Sequence, residues 1–407
     1  MGLLKQTLRY FVSLLCISSL MYPATIFATR ALYLYNDRDL PQEFRWHVPN
    51  STFEAEIVGW WAADFATMSQ DLDEAGQIAY WKAGLMGLHL SWSHAWDFYS
   101  AYDLTTFAKT HNTTWRAVNI VYHNTEWAWV LGQFVPDFGM ENNILPPTLP
   151  FVNLSLPVLL FAPPFGLGSL AAWQNNYLNI AASILGPSIN ETSTIQNNTP
   201  VGGAINIIFS PIHTDTRAVH SSISVWSRSV DTGQPFQLRT TPELPAPGIA
   251  TAISTSTIQA AQATSTMDTA LAGVYGPLSG SVEYLQDWVI RTAENPTLSF
   301  NGYLAEIAYF LTGESELYNF KAGSIVGITP VRHRYGAWQL ACRYSGVNLS
   351  DQEVQGGSAQ TFTVGVNWYP IAYLIVKTNY TRAHATAGFQ NDNPNANIAV
   401  VEIQTVF

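Results

Sequence analysis

Apolar and polar side chains alternate with a period of two along much of the chain. Phe53, Ala55, Ile57, Gly59, Trp61, Ala63 and Phe65 share one face of a segment whose other face carries Glu54, Glu56 and Asp64. Trp338, Leu340, Cys342 and Tyr344 alternate with Ala337, Gln339, Ala341 and Arg343. The same spacing sets Phe362, Val364, Val366 and Trp368 against Thr361, Thr363, Gly365 and Asn367, and Val376, Thr378 and Tyr380 against Lys377, Asn379 and Thr381. Val219, Ile223 and Val225 likewise oppose His220, Ser222, Ser224 and Arg228. Neighbouring side chains of a strand point to opposite faces, so each segment is predicted to be a strand with one apolar and one polar surround. Each runs for about ten residues, which crosses a bilayer as a tilted strand. Trp and Tyr gather at the ends, as interfacial girdles require. The chain closes on Ala399, Val401, Ile403, Thr405 and Phe407 alternating with Glu402 and Gln404. A final aromatic residue is how outer-membrane barrel strands end, although an ordinary edge strand of a soluble sheet would alternate too.

Two kinds of segment break the pattern. Leu145 to Trp173 is the most apolar stretch and carries Pro146, Pro147, Pro150, Pro157, Pro163 and Pro164. Proline removes backbone donors and breaks helices, so this stretch is predicted to be an irregular loop that either covers an apolar neighbour or folds inward to narrow a channel. Ala246 to Thr269 and Asn190 to Pro200 are rich in small polar residues and read as exposed loops. Neither reads as a domain linker, because the strand pattern resumes after each.

Composition sharpens the picture. Apolar residues make up 47% of the chain and charged residues 12%, about half the globular norm of ~25%. An outer surface facing lipid explains that deficit. Lys5 and Arg9 followed by the apolar run Phe11 to Leu20 read as a secretory signal, with cleavage expected after Ala28. The expected organisation is therefore a signal peptide over residues 1–28 and a barrel domain over 29–407. Losing Lys5 and Arg9 takes the net charge from −11 to −13, and such an acidic chain is not expected to bind nucleic acid. Of the two cysteines only Cys342 remains after cleavage, set among apolar neighbours as a small hydrophobe. Secretion, few charges, many long strands with polar inner faces and the terminal Phe407 together point to an all-β transmembrane antiparallel barrel.

Several segments resemble the phosphate-selective porin O and P family. Leu131-Gly132-Gln133-Phe134 followed by Pro136-Asp137-Phe138-Gly139-Met140-Glu141 is similar to the family's Gly-Gln-Phe and Pro-Phe-Gly-x-Glu elements. Phe209-Ser210-Pro211, Gly276-Pro277-Leu278-Ser279 with Glu283-Tyr284, and Leu311-Thr312-Gly313-Glu314 ending at Tyr318 follow in family order. Gly336 to Ser345 and Gly365-Val366-Asn367-Trp368-Tyr369 complete the series. The resemblance implies about 16 strands, short periplasmic turns and long outer loops. It also implies a homotrimer, and an inward-folded loop after Glu141 carrying Pro146, Pro147, Pro150 and Pro157. It implies a water-filled channel in the bacterial outer membrane for small hydrophilic solutes and ions, anions such as phosphate among them. The partners are then the lipid bilayer and the permeating solutes.

A channel needs a constriction and charges that set the local potential. Arg343, Lys377 and Arg228 fall on polar strand faces, and Arg116 lies before the proline-rich loop in sequence. These are the candidate pore-lining bases. Glu54, Glu56, Asp64, Glu283 and Asp287 are the candidate pore-lining acids, and each base could equally pair with an acid across the lumen. Glu54 and Glu56 stand where the family's base-rich lining would begin, and only Lys82, Lys109, Lys321 and Lys377 remain as lysines after cleavage. A mixed, weakly selective lumen is the expectation. No catalytic, metal or cofactor pattern emerges. Ser279 has the wrong spacing for a nucleophile elbow, and His89 and His94 lack a zinc ligand set. Arg332-His333-Arg334 is a short basic turn that could attract anions at one mouth. His220 and Ser222 share a face, so a lipase-like barrel enzyme stays open as an alternative, as does a surface adhesin.

Overall fold

The computed structural model describes residues 45–69, 76–105, 114–190, 200–230, 235–246, 249, 251–292, 294–331, 333–371, 373–386 and 395–407. The expected signal segment, Lys109, Arg332 and most of Asn190 to Pro200 lie outside them. The strands are β1 (Arg45–His47), β2 (Glu54–Met68), β3 (Gln77–Trp92), β4 (Trp96–Asp103), β5 (Trp115–His123) and β6 (Trp127–Phe134). They continue as β7 (Gly166–Gln174), β8 (Leu178–Leu185), β9 (Gly202–Thr214), β10 (Arg217–Ser229), β11 (Arg239–Thr240) and β12 (Ile253–Ser254). Next come β13 (Ala261–Tyr275), β14 (Leu278–Arg291), β15 (Leu298–Phe310), β16 (Glu316–Asn319) and β17 (Ser324–Ile328). β18 (Ala337–Asp351), β19 (Val354–Ile371), β20 (Leu374–Ala385) and β21 (Asn395–Val406) finish the chain.

Seventeen strands form one sheet. β1 is a three-residue extension along the start of β2. The other sixteen pair antiparallel in sequence order, and β21 returns to β2 with Val406 opposite Trp60 and Ile398 opposite Met68. The sheet is therefore a closed sixteen-stranded barrel. Closure removes every edge, which a sheet must do if its backbone is to sit in hydrocarbon. At the seam, the Gly59 amide donates to the Phe407 carbonyl at 2.6 Å and the Phe407 amide donates back at 3.1 Å. A Cβ on Gly59 would lie 2.4 Å from the Phe407 ring, so glycine there gives the terminal ring its seat.

Burial runs opposite to that of a water-soluble protein. On β18, Gln339, Arg343 and Ser345 are buried while Trp338, Leu340 and Tyr344 are exposed. Cys342 shares their outward face and is partly exposed. β2, β14, β19 and β21 repeat this inversion. An apolar exterior over a polar interior is the signature of a barrel solvated by lipid. Aromatic rings collect near the tight-turn end, where Trp92 stacks on Trp96 at 6.3 Å, Trp96 meets Tyr122 at 5.0 Å and Trp338 stacks on Trp368 at 5.6 Å.

Three features depart from the sequence expectations. The proline-rich stretch ends at residue 165, and its last part is strand β7. The Ala246 to Thr269 stretch is not an exposed loop. Its second part enters β13, and Ala246, Ala252, Ile253 and Ile258 before it are buried inside the barrel. Small side chains suit both places, because the lumen there is filled by chain and leaves little room. Finally, the connection from β15 to β18 sits at the tight-turn end yet is long, carrying the β16–β17 hairpin.

Candidate functional site: the filled lumen

The proline-rich segment 135–165 enters the barrel as two single 3-10 turns, Glu141–Asn143 and Pro146–Thr148, and one short helix, Leu156–Phe161. A run of prolines has few N–H groups and many free carbonyls, and a buried carbonyl needs a donor. The inner faces of the wall strands supply them. Lys377 Nζ donates to the Pro146 carbonyl at 3.1 Å and lies 3.4 Å from that of Phe151. Gln404 donates to Pro147 at 2.9 Å and Asn367 to Pro150 at 2.8 Å. Lys82 donates to Val152 and, at 2.7 Å, to Glu402. Arg343 donates to Asn153 at 2.9 Å, and its guanidinium lies 4.3 Å from the centre of the Phe151 ring. The Val152 amide closes the set by donating to Asn379 Oδ1 at 2.6 Å.

The acids sort differently. Glu141 is fully buried, takes Arg343 Nη1 at 2.8 Å and accepts from the Ser155 amide at 3.0 Å. Glu283 on β14 accepts from the Glu141 amide at 2.7 Å and the Met140 amide at 3.2 Å. A second inner segment, 235–258, brings Glu243 to the same guanidinium. Its carboxylate accepts from Arg343 Nη2 at 2.8 Å, Ser345 at 2.7 Å, Thr361 at 2.6 Å and Thr363 at 2.8 Å. Burial alone pushes the Glu243 pKa up. The Arg343 guanidinium and the hydroxyl bonds outweigh it and hold the carboxyl below its usual range, so it is charged at neutral pH.

The third inner segment is the long connection 311–336. Its Ile325 carbonyl accepts from Thr148 at 3.3 Å, and its Phe320 and Lys321 carbonyls accept from Asn179 at 3.2 and 3.1 Å. Glu316 accepts from Gln339 at 2.8 Å. The three segments converge at mid-barrel from both ends, and the small cavity left beside Met140, His220 and Ile325 measures about 20 Å³.

The remaining candidates fall in three places. Asp64 is buried on the inner face and accepts from Tyr80 at 2.8 Å, and Asp287 accepts from Thr266 at 2.8 Å. Glu56 is paired with Arg45 at 3.1 Å and His89 at 3.4 Å near the tight-turn end. Glu54 is exposed at that rim, 3.6 Å from His47. Arg116 is 39% exposed at the long-loop end and pairs with Asp103 at 2.8 Å, and Arg228 is half-buried near the same end of β10. Of the named prolines, Pro146, Pro147 and Pro150 offer their carbonyls to the wall, and Pro157 packs within the helix Leu156–Phe161. Sequence reasoning missed Glu243, although a signal existed. It is the only charged residue between Arg239 and Asp268.

Residues 56–407 match the family model described as phosphate-selective porin O and P. The chain belongs to this family. It is accordingly a porin-family barrel of the bacterial outer membrane. Over 281 residues it is 24% identical to Porin O of Pseudomonas aeruginosa, an alignment spanning 62% of this chain and 64% of that protein, just under two thirds of its length. Among solved structures it is similar to an anion-selective porin from Comamonas acidovorans, with a TM-score of 0.54 at 11% identity over 87% of this chain and all of that one. It is also similar to OmpT of Vibrio cholerae in its trimer form, with a TM-score of 0.55 at 9% identity over 88% of this chain and all of the other. At such identities these likenesses show the barrel fold alone. Two of the segments that resemble the family run into the lumen, and the others lie on wall strands that face it. Glu141 closes the first motif, Tyr318 closes the third-segment motif, and Arg343 lies in the motif that begins at Gly336.

Proposed function

We propose that this chain, exported with residues 1–28 as its signal peptide, is a diffusion porin with a weakly selective lumen and no phosphate trap. The observation that carries the reading is the prior engagement of its mid-lumen bases. Arg343, Lys377 and Lys82 already donate to loop carbonyls and to Glu141, Glu243 and Glu402. A phosphate ion would have to displace those partners in a lumen that also holds Asp64, Asp268, Glu283, Asp287, Glu306 and Glu316. Charge rings set ion preference, and the bases of this one are already paired with Glu141, Glu243 and Glu402. In planar bilayers with a potassium chloride gradient, the expected reversal potential is small and low phosphate leaves the current unblocked. A strongly anion-selective reversal potential, or saturating phosphate block, would sink the reading.

Catalysis is not part of this proposal. His220 does reach Ser222 at 2.9 Å, and Tyr318 at 2.7 Å. The cavity beside His220 is about 20 Å³, room for one water molecule and not for an ester.

The homotrimer has a physical argument of its own. β4, β6 and β8 hold eight residues each, whereas β13 and β18 hold fifteen. Eight residues of tilted strand rise about 20 Å, short of the ~25 Å apolar band of such barrels. This low wall carries exposed Trp129, Leu131, Leu167 and Ile184. A neighbouring subunit covers it more completely than lipid does. Light scattering of the detergent-purified protein should give three chains per particle, and a monomer would end the proposal.

A further inference from the structure

The Glu243 carboxylate has a place of rest that belongs to the barrel wall and not to its own segment. Its four donors lie on the inner face of two adjacent strands. Arg343 stands directly opposite Thr363, and Ser345 directly opposite Thr361, in the β18–β19 register. The donors divide evenly, with Ser345 and Thr361 on Oε1 and Arg343 and Thr363 on Oε2. That saturates both oxygens of a carboxylate. Thr381 from β20 stands behind Thr363 at 2.9 Å. Strand pairing brings these four side chains together, and Glu141 and the Asn153 carbonyl hold Arg343 besides, so the cradle has supports other than Glu243.

The segment that delivers Glu243 is packed against the wall through Leu244, Ile253 and Ile258 but carries little regular structure of its own. Its regular pairing is the two-residue ladder of β11 and β12. Pro242 and Pro245 flank the carboxylate, and Glu243 itself has φ +56°, a conformation that a residue with a side chain adopts at a cost. A well-built anion cradle is thus occupied by an anion whose own backbone is strained and whose segment has little regular pairing.

We propose that the Arg343–Ser345–Thr361–Thr363 cradle is a binding site for a small monocarboxylate, and that Glu243 is the internal carboxylate that occupies it until such a solute displaces it. This rests on the channel reading above and names its solute. The side chain of Glu243 beyond Cα has the size of propionate. Exchanging it for a free monocarboxylate leaves the charge of the cradle unchanged beside Glu141. A dianionic phosphate would bring a second negative charge to a single guanidinium already shared with Glu141, and chloride does not match four donors arranged for two oxygens. Displacement also frees the segment from its bond to Asn153, where Asn153 Nδ2 donates to the Glu243 carbonyl at 3.0 Å, and so loosens the fill of the lumen.

The test is single-channel recording of the purified full chain in potassium chloride, with sodium acetate, sodium phosphate or extra sodium chloride added at matched pH and ionic strength. Acetate should raise the open fraction saturably, about tenfold, the effect of losing one charge-assisted contact, and phosphate and chloride should not. Glu243→Gln should be open without acetate and indifferent to it. Thr363→Val, which leaves the ion pair intact but weakens the hold on Glu243, should be open more often without acetate and gain less from it, and carries the test if Glu243→Gln does not fold. Equal responses to acetate and chloride, or a Glu243→Gln channel that keeps the wild-type open fraction and acetate response, would overturn the proposal while leaving the porin reading standing. No protein-dependent current in any salt, from either protein, would overturn both.

Discussion

Arg343→Met should leave a folded barrel with an unlatched interior. The substitution keeps the length and apolar body of the side chain over Phe151 and removes the guanidinium. Glu141 and Glu243 then remain as buried carboxylates without a cation, and the Asn153 carbonyl loses its donor. Breaking one partner from a buried ion pair costs about 3–5 kcal/mol. The cost falls on the inner segments and not on the ladder, because the sixteen-strand backbone pairing owes nothing to this side chain. The measurable results are faster proteolysis within 135–165 and 235–258, and noisier, larger currents, with a normal shift in gel mobility on heating. Arg343→Lys should resemble Arg343→Met more than wild type. One ammonium cannot reach Glu141 on one side and Glu243 with Asn153 on the other, whereas a planar guanidinium does. Wild-type protease resistance and current in Arg343→Met would show that the latch holds nothing.

Gly132→Val should prevent the barrel from assembling. Gly132 has φ +134°, a backbone region that residues with a side chain rarely adopt, and it pairs with Asn119 on one side and Gly168 on the other. A Cβ there would lie 2.3 Å from the Val118 carbonyl oxygen and 2.6 Å from Asn119 Cα. Gly168 is under the same pressure, with its Cβ position 2.0 Å from the Ile184 carbonyl oxygen. These obstacles are backbone atoms of neighbouring strands, which cannot turn aside as a side chain can. Strain and overpacking together cost roughly 3 kcal/mol or more, and every ladder bond that opens exposes a polar group to lipid. Heat-modifiable mobility and the amount of protein in the outer membrane report the result. Gly327→Ala is the control, since a Cβ there meets nothing within 4 Å. Normal assembly of Gly132→Val would mean that the strands can part at β5–β6 without penalty.

The barrel wall was legible in the sequence because a lipid-facing strand records its surroundings residue by residue. The outward set Trp338, Leu340, Cys342 and Tyr344 and the inward set ending in Arg343 follow from alternation alone. The inner segments were legible only in part. Proline content marks Leu145 to Trp173 as irregular, too far by the length of β7, and the loss of N–H groups makes its need for donors predictable in kind. Ala246 to Thr269 misleads, because small polar residues look the same in an exposed loop, a packed insert or a strand such as β13.

By itself, then, the sequence determined an all-β barrel with an apolar exterior, a polar interior and an irregular proline-rich loop, through rules that act between neighbours in the chain; that the loop folds inward came only from the family resemblance. Tertiary structure alone decided what the interior residues do. Lys377 meets Pro146 across 231 residues of sequence, and Arg343 meets Glu243 across 100. Alternation says that a lysine or arginine faces inward. Whether it faces water, an ion or a loop carbonyl depends on how distant strands register and on which segments fold into the space they enclose.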